Sequence, residues 1–154
     1  MMHSAVCAPR SMCEASAVSS IQVADETFVA ASPHDAPHVI ADRSRWRRWW
    51  PDLHLTVVED RVEQGMRWSI SGGANGTMEV WLEEVLDGFV LHYFMHAEPA
   101  ETDDGVAERS ARRRAAWLAS ANHRRRVAGR AMSTEVKDRL EAGRAAGEPA
   151  VGRG

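Results

Sequence analysis

The chain has 154 residues, 44% of them hydrophobic and 27% charged, which suits one domain that buries roughly two thirds of its extended surface and is too short for two. No apolar stretch approaches the ~20 residues that cross a bilayer, and no sustained apolar core follows a basic amino terminus, so the sequence predicts neither a membrane span nor secretion. The net charge of −3 hides a segregation, since residues 1–104 carry 7 basic and 17 acidic side chains and residues 105–154 carry 12 and 5.

Residues 1–20 follow neither a period of 2 nor one of 3.6 and are rich in Ser and Ala, as in a disordered leader. A translation start at Met12, or just before Val23, would leave most of this leader outside the domain. Its two cysteines, Cys7 and Cys13, form no disulfide framework, so a reducing cytoplasm is expected. The domain proper is predicted over residues 21–143, with a disordered tail over 144–154.

IQVADETFVAA, residues 21–31, alternates imperfectly and reads as a first strand. Ser32 then caps a helix with Pro33 at its first position, where a missing N–H costs nothing, and this helix is predicted to run to about Asp42. A second short helix follows in RSRWRRWW and stops at Pro51, because the residue before a proline is pushed out of helical space.

Beyond Pro51 the period becomes two. Leu53, Leu55 and Val57 share one strand face, Met66, Trp68 and Ile70 another, and two further strands follow in GTMEVWLEEVL and FVLHYFMHA. Asp87-Gly88 is the preferred type I′ hairpin pair, and it predicts Leu86 opposite Phe89. The core face then pairs Leu82 with Tyr93, Val80 with Met95 and Glu84 with Leu91. The outward face pairs Trp81 with Phe94, Glu83 with His92 and Glu79 with His96. At SGGANGT, residues 71–77, a three-residue loop over 73–75 puts Met66, Trp68 and Ile70 on the face of Val80. A two-residue Asn75-Gly76 turn would put them beside Trp81. The former collects the apolar residues on one side. After an acidic loop, Ala111, Ala115, Leu118, Ala121, Ala128, Met132, Val136 and Leu140 recur at helical spacing, predicting a long terminal helix over about 106–142, weakened near Gly129 and stopped by Gly143.

This order describes an α+β helix-grip domain, a curved antiparallel sheet wrapped around a long carboxy-terminal helix, with two short helices after the first strand. ADRSRWRRWWPD, residues 41–52, resembles the Asp, Trp-x-x-Trp-x-Pro signature of the START-like superfamily that includes polyketide cyclases and dehydrases. VADETFVAA, GMRW, GTMEVWLE and LDGFVLHYFMHAEP look like a small actinobacterial branch of it. The resemblance covers roughly residues 23–98 and implies an apolar cavity between sheet and terminal helix for a lipid or polyketide-like ligand. Fuller members have more strands, which implies a small or open cavity here.

On that reading the cavity candidates are Met66, Trp68, Ile70, Met78, Val80, Leu82, Leu91, Tyr93, Met95 and Leu118, a soft surface suited to a flat or flexible apolar molecule. An ordinary packed core is the competing reading of the same residues. Trp46 and Trp49, at i and i+3, are expected to pack the second helix onto the sheet and close the cavity. Binding of a small hydrophobic or amphipathic ligand is therefore the leading function. A cyclase-like enzyme is the first alternative, with only Tyr93 and Glu84 on the inner face as acid–base candidates. An interaction module using the basic helix or the Trp81–Phe94 patch is the second. His92 and His96 lie ~13 Å apart along a strand, too far to share an ion, and His34 and His38 lack a third ligand, so no metal is expected. No P-loop, GxGxxG, nucleophile elbow or CxxC appears, and no cofactor is implied. Arg112 to Arg114 and Arg124 to Arg126 fan around their helix with acidic partners available in cis, which argues against nucleic acid.

Overall fold

The computed structural model describes residues 18–100 and 110–152. The expected leader up to residue 17 and the acidic loop over 101–109, where the last helix was predicted to begin, lie outside the described residues. Five strands form one antiparallel sheet: β1 (Ile21–Val29), β2 (Leu53–Asp60), β3 (Gly65–Gly72), β4 (Ala74–Val85) and β5 (Gly88–Pro99), in the order β1-β5-β4-β3-β2. Between β1 and β2 lie a 3-10 turn at Pro33–Asp35, α1 (Pro37–Ile40) and α2 (Arg43–Trp49), and α3 (Ala111–Leu140) closes the fold. This is the expected α+β helix-grip plan.

Ser32 caps as predicted, its hydroxyl accepting from the His34 N–H at 3.3 Å. The helix it begins is instead a 3-10 turn followed by a single turn of α1. The backbone pauses there because Pro37 supplies no N–H to continue the ladder. Asp42 caps α2 by accepting from the Ser44 N–H at 2.9 Å, and Pro51 ends it.

The β4–β5 hairpin has the predicted faces and a different turn. Its pairs run Val85↔Gly88, Leu82↔Leu91, Val80↔Tyr93, Met78↔Met95 and Trp81↔His92, two residues out of the expected register. The reversal therefore falls on Leu86 and Asp87, with Leu86 at φ +51°. Gly88 serves the ladder: a Cβ there would lie 2.2 Å from the Val29 carbonyl oxygen of β1. A slip of two preserves which side each residue faces, so Leu82, Val80, Tyr93 and Met95 still point inward. At the preceding turn Met66 pairs with Val80 and Trp68 with Met78, which keeps the three inner β3 residues on the Val80 face.

α3 runs unbroken for 30 residues and buries Ala121, Arg125, Gly129, Met132, Ser133 and Val136. The predicted stripe holds for Ala121, Met132 and Val136, with Ala128 and Leu140 packed at its margin. Ala111 and Ala115, by contrast, are exposed. Gly129 does not interrupt the helix. A Cβ at that position would sit 2.2 Å from Tyr93 Cε1, so the missing side chain is what lets the helix lie directly on the sheet. The tail, expected to fray, folds back: Val151 donates to the Ala30 carbonyl and accepts from the Ser32 N–H, both at 3.0 Å, forming a parallel bridge with Ala31.

Candidate functional site

The inner sheet face is where the sequence places a cavity, and in the structure it is a filled core. Met66, Trp68, Ile70, Met78, Val80, Leu82, Leu91, Tyr93 and Met95 are all buried, none more than 5% exposed. What occupies the space above them is an indole the helical spacing did not single out. Trp50, just past the end of α2, stacks on Tyr93 at 6.1 Å between centroids with 14° between planes. Trp68 lies tilted against it at 6.3 Å. With Gly129 pressed on the other part of the Tyr93 ring, no ligand-sized gap remains over that phenol. Nine of the ten predicted cavity residues are therefore core, and Leu118 is the exception.

Trp46 and Trp49 are both buried, Trp46 against the sheet and Trp49 towards α3. Trp46 meets the edge of Trp68 at 5.6 Å and donates its indole N–H to the Ile40 carbonyl at 2.7 Å. Trp49 meets Trp50 edge-on at 5.6 Å and donates to Glu135 of α3 at 2.8 Å. Glu135 also binds Arg45, Arg48 and Arg139. Burial resists its ionisation, but the Trp49, Arg139 and Arg48 donors outweigh that and bring its carboxyl down to about 2.

Leu118 lies at one end of the sheet, beside the ends of β1, β4 and β5. There a cleft of about 400 Å³ lies between Arg114, Trp117 and Leu118 of α3 and Ser20, Asn75, Glu98 and Pro99 at the ends of β1, β4 and β5. The Ser20 N–H donates to Glu98 Oε1 at 2.8 Å. Hydrogen bonds from Ser20, with the Arg114 guanidinium nearby, hold that carboxyl below its ordinary range. Arg114 forms no ion pair with any described carboxylate. The cleft thus joins an indole, a leucine and a proline ring to a guanidinium, a primary amide and the Glu98 carboxylate that Ser20 engages, the chemistry of an apolar body with a polar head.

The acid–base candidates fare differently. Burial pushes the Tyr93 phenol above its ordinary value, its O–H lies 3.4 Å from Met78 Sδ, and Glu84 is exposed. One inward carboxylate was missed. Ile21, Val23, Asp25, Thr27 and Val29 share the inner parity of β1, a signal present in the alternation of IQVADETFV. Asp25 Oδ1 accepts from Arg130 at 2.8 Å, while Oδ2 is buried without a hydrogen-bond partner.

On the outward face His92 is sandwiched between Trp81, at 4.7 Å, and Phe94, at 6.1 Å. Glu83 and Glu26 hold its two ring nitrogens. The glutamate partner expected for His92 is thus present, reached diagonally across the shifted register. His34 pairs with Glu63, and among the described residues no three His, Cys, Asp or Glu side chains converge as metal ligands. The second arginine triplet splits as a fan should. Arg124 and Arg126 are exposed, whereas Arg125 is 6% exposed and grips Asp52 with two bonds of 2.7 and 2.6 Å. No described helix is long and apolar enough to cross a membrane.

No protein-family model and no curated protein matches the sequence. Solved structures do match in shape. The Aha1 dimer from Colwellia psychrerythraea aligns at TM-score 0.51 with 16% identity, covering 81% of this chain and 99% of that one. A Polyketide_cyc-like protein from Corynebacterium glutamicum aligns at 0.49 with 14% identity, covering 80% and 95%. The Zhui aromatase/cyclase from Streptomyces aligns at 0.48 with 17% identity, covering 80% and 98%. At these identities the likeness is one of fold, and the Aha1 overlay carries it.

Proposed function

We propose that this chain, which shares the helix-grip fold, binds a small amphipathic ligand, lipid or polyketide-like, in the cleft between α3 and the ends of β1, β4 and β5. The observation that supports this reading most is the position of Leu118. It is the one expected cavity residue left out of the core, and it lines a space of about 400 Å³, within the range that small-molecule sites occupy. Trp117, Leu118 and Pro99 offer the apolar wall, and Arg114 and Asn75 suit an anionic or carbonyl-bearing head. A catalytic reading draws no support from Tyr93, because burial moves its phenol away from the range in which it would exchange a proton near neutral pH.

The test is fluorescence titration with anilinonaphthalene sulfonate, followed by displacement with dodecanoate. Saturable, displaceable binding is expected, weakened roughly tenfold by Trp117→Ala, where an aromatic contact is lost, and unchanged by Trp81→Ala on the opposite face. Binding that ignores Trp117 and Arg114 substitutions would overturn the placement.

A further inference from the structure

The sheet has two edges, and the described residues clamp one of them at both ends. Along β1, side chains of α3 and the returning tail take up outward backbone groups at both ends of the strand, at Ser20, Gln22, Phe28, Ala30 and Ser32. Along β2, the pairing with β3 uses one side of the strand, from Leu53↔Gly72 to Val57↔Trp68, before the register slips between Val57 and Glu59. The N–H and C=O groups of Leu53, Leu55 and Val57 point away from the sheet; the Leu53 N–H donates to the Trp50 carbonyl at 3.1 Å, and no described group hydrogen-bonds the outward groups of Leu55 and Val57. The stretch Leu53–Val57, LHLTV, holds no proline and no Asp, Glu, Lys or Arg, so the irregularity between Val57 and Glu59 ends the regular edge but nothing in its own sequence blunts these five residues.

Beside this edge α2 forms a groove of about 280 Å³, lined by Arg43, Trp46, Arg47, Leu53, His54 and Leu55. Arg43 and Arg47 are one turn apart and share a helix face. The other two arginines of α2 are engaged, Arg45 with Asp42 and Glu135 and Arg48 with Glu135. Arg43 instead rests 5.4 Å from the centroid of the Trp46 ring. Neither it nor Arg47 meets a described carboxylate, and both are exposed.

We propose that the β2 edge with this groove is a docking site for an extended, acidic peptide segment of a partner protein. The segment adds a strand along Leu53–Val57 through main-chain hydrogen bonds, lodges an apolar side chain against Trp46, Leu53 and Leu55, and sets carboxylates beside Arg43 and Arg47. A second copy of this chain is the weaker occupant. Antiparallel pairing of β2 with itself that keeps Leu53, Leu55 and Val57 on a common face brings together, across the two-fold axis, two α2 helices that each carry the exposed Arg43 and Arg47. Like charges would then face each other where the peptide supplies opposite ones.

The experiment is titration of the isotope-labelled full chain with capped octapeptides that alternate glutamate with valine or leucine, read by amide shifts and hydrogen exchange. Saturable shifts confined to α2 and β2 are expected, with slowed exchange of the outward amides of Leu55 and Val57. Replacing glutamate by lysine in the peptide, or Arg43→Glu with Arg47→Glu in the protein, is expected to weaken binding about tenfold or more. N-methylation of alternate peptide residues is expected to abolish it while leaving the protein untouched. No saturable shifts at millimolar peptide, equal binding of the lysine peptide, or full binding of the N-methylated one would each overturn the proposal. Protection of β2 that rises with protein concentration without peptide, alongside a dimer in sedimentation, would also overturn it by giving the edge to a second copy.

Discussion

At the β1 edge a long helix reaches the outermost strand with polar side chains, whereas at the β2 edge a short helix drives indoles beneath the strand and leaves its backbone open. Asn122 accepts from the Gln22 N–H at 3.0 Å and donates to the Ser20 carbonyl at 2.9 Å. Lys137, the one lysine of the chain, donates to the Phe28 carbonyl at 2.9 Å and to Glu141 at 2.6 Å. Glu141 accepts from the Ala30 N–H at 2.6 Å. These clamps satisfy groups that an edge strand otherwise offers to other chains. On the β2 side Trp46, Trp49, Trp50 and Trp68 supply buried area instead, which stabilises the strand from below; only the Trp50 carbonyl, accepting from the Leu53 N–H at 3.1 Å, meets an outer hydrogen-bonding group. One edge is thus clamped at both ends by hydrogen bonding, and the other is supported by packing and stays available beyond Leu53.

The comparison breaks most readily at its aromatic side. Trp50→Ala removes the ring that fills the space over Tyr93 and is expected to cost about 4 kcal/mol in urea unfolding. A loss below about 1 kcal/mol would mean that the wedge does not hold β2. Between the two edges, Gly129→Ala is expected to destabilise by about 2 kcal/mol through overpacking against Tyr93, opposite in sign to the gain of about 1 kcal/mol at an exposed helix site. Pairing it with Tyr93→Leu should recover part of the loss.

Acid sharpens the same contrast. The folded-state value of Glu135 is depressed to about 2, so its contribution is complete above its ordinary value near 4.5 and lost as pH falls from there towards 2. That contribution is on the order of 1–2 kcal/mol after allowance for solvent screening. Glu135→Gln is expected to flatten the stability profile across that window and leave it unchanged in shape above pH 6. The smallest effect belongs to the clamps. Glu141→Ala leaves the Ala30 N–H without its carboxylate and is expected to cost about 1 kcal/mol, with faster hydrogen exchange at Ala30 and unchanged exchange along β2.

The alternation after Pro51 made the strand faces legible, and Ser32, Asp42 and Pro51 marked the short helices. Partner register was not legible at Asp87-Gly88, because a glycine that permits close approach of β1 reads the same as one that permits a turn. The filled interior was hidden for a related reason. Periodicity assigns Tyr93 and Met78 to the inward side, but the residue that occupies the opposite layer, Trp50, lies at a helix end where no period points to it. Asp25 was readable from the parity of Ile21 and Val23. The β1 clamps were not, since Gln22 meets Asn122 across 100 residues and only the folded topology brings the two together.

The account turns on where an amphipathic molecule settles, and side-chain resonances of the protein titrated with dodecanoate report this directly. Saturable shifts of the Trp117 indole and Leu118 methyls, with the Met78 and Met95 methyls unmoved, are the predicted result. Shifts of Met78, Met95 and the Trp50 indole with Trp117 unmoved would show that the interior opens to take the ligand, and would contradict it.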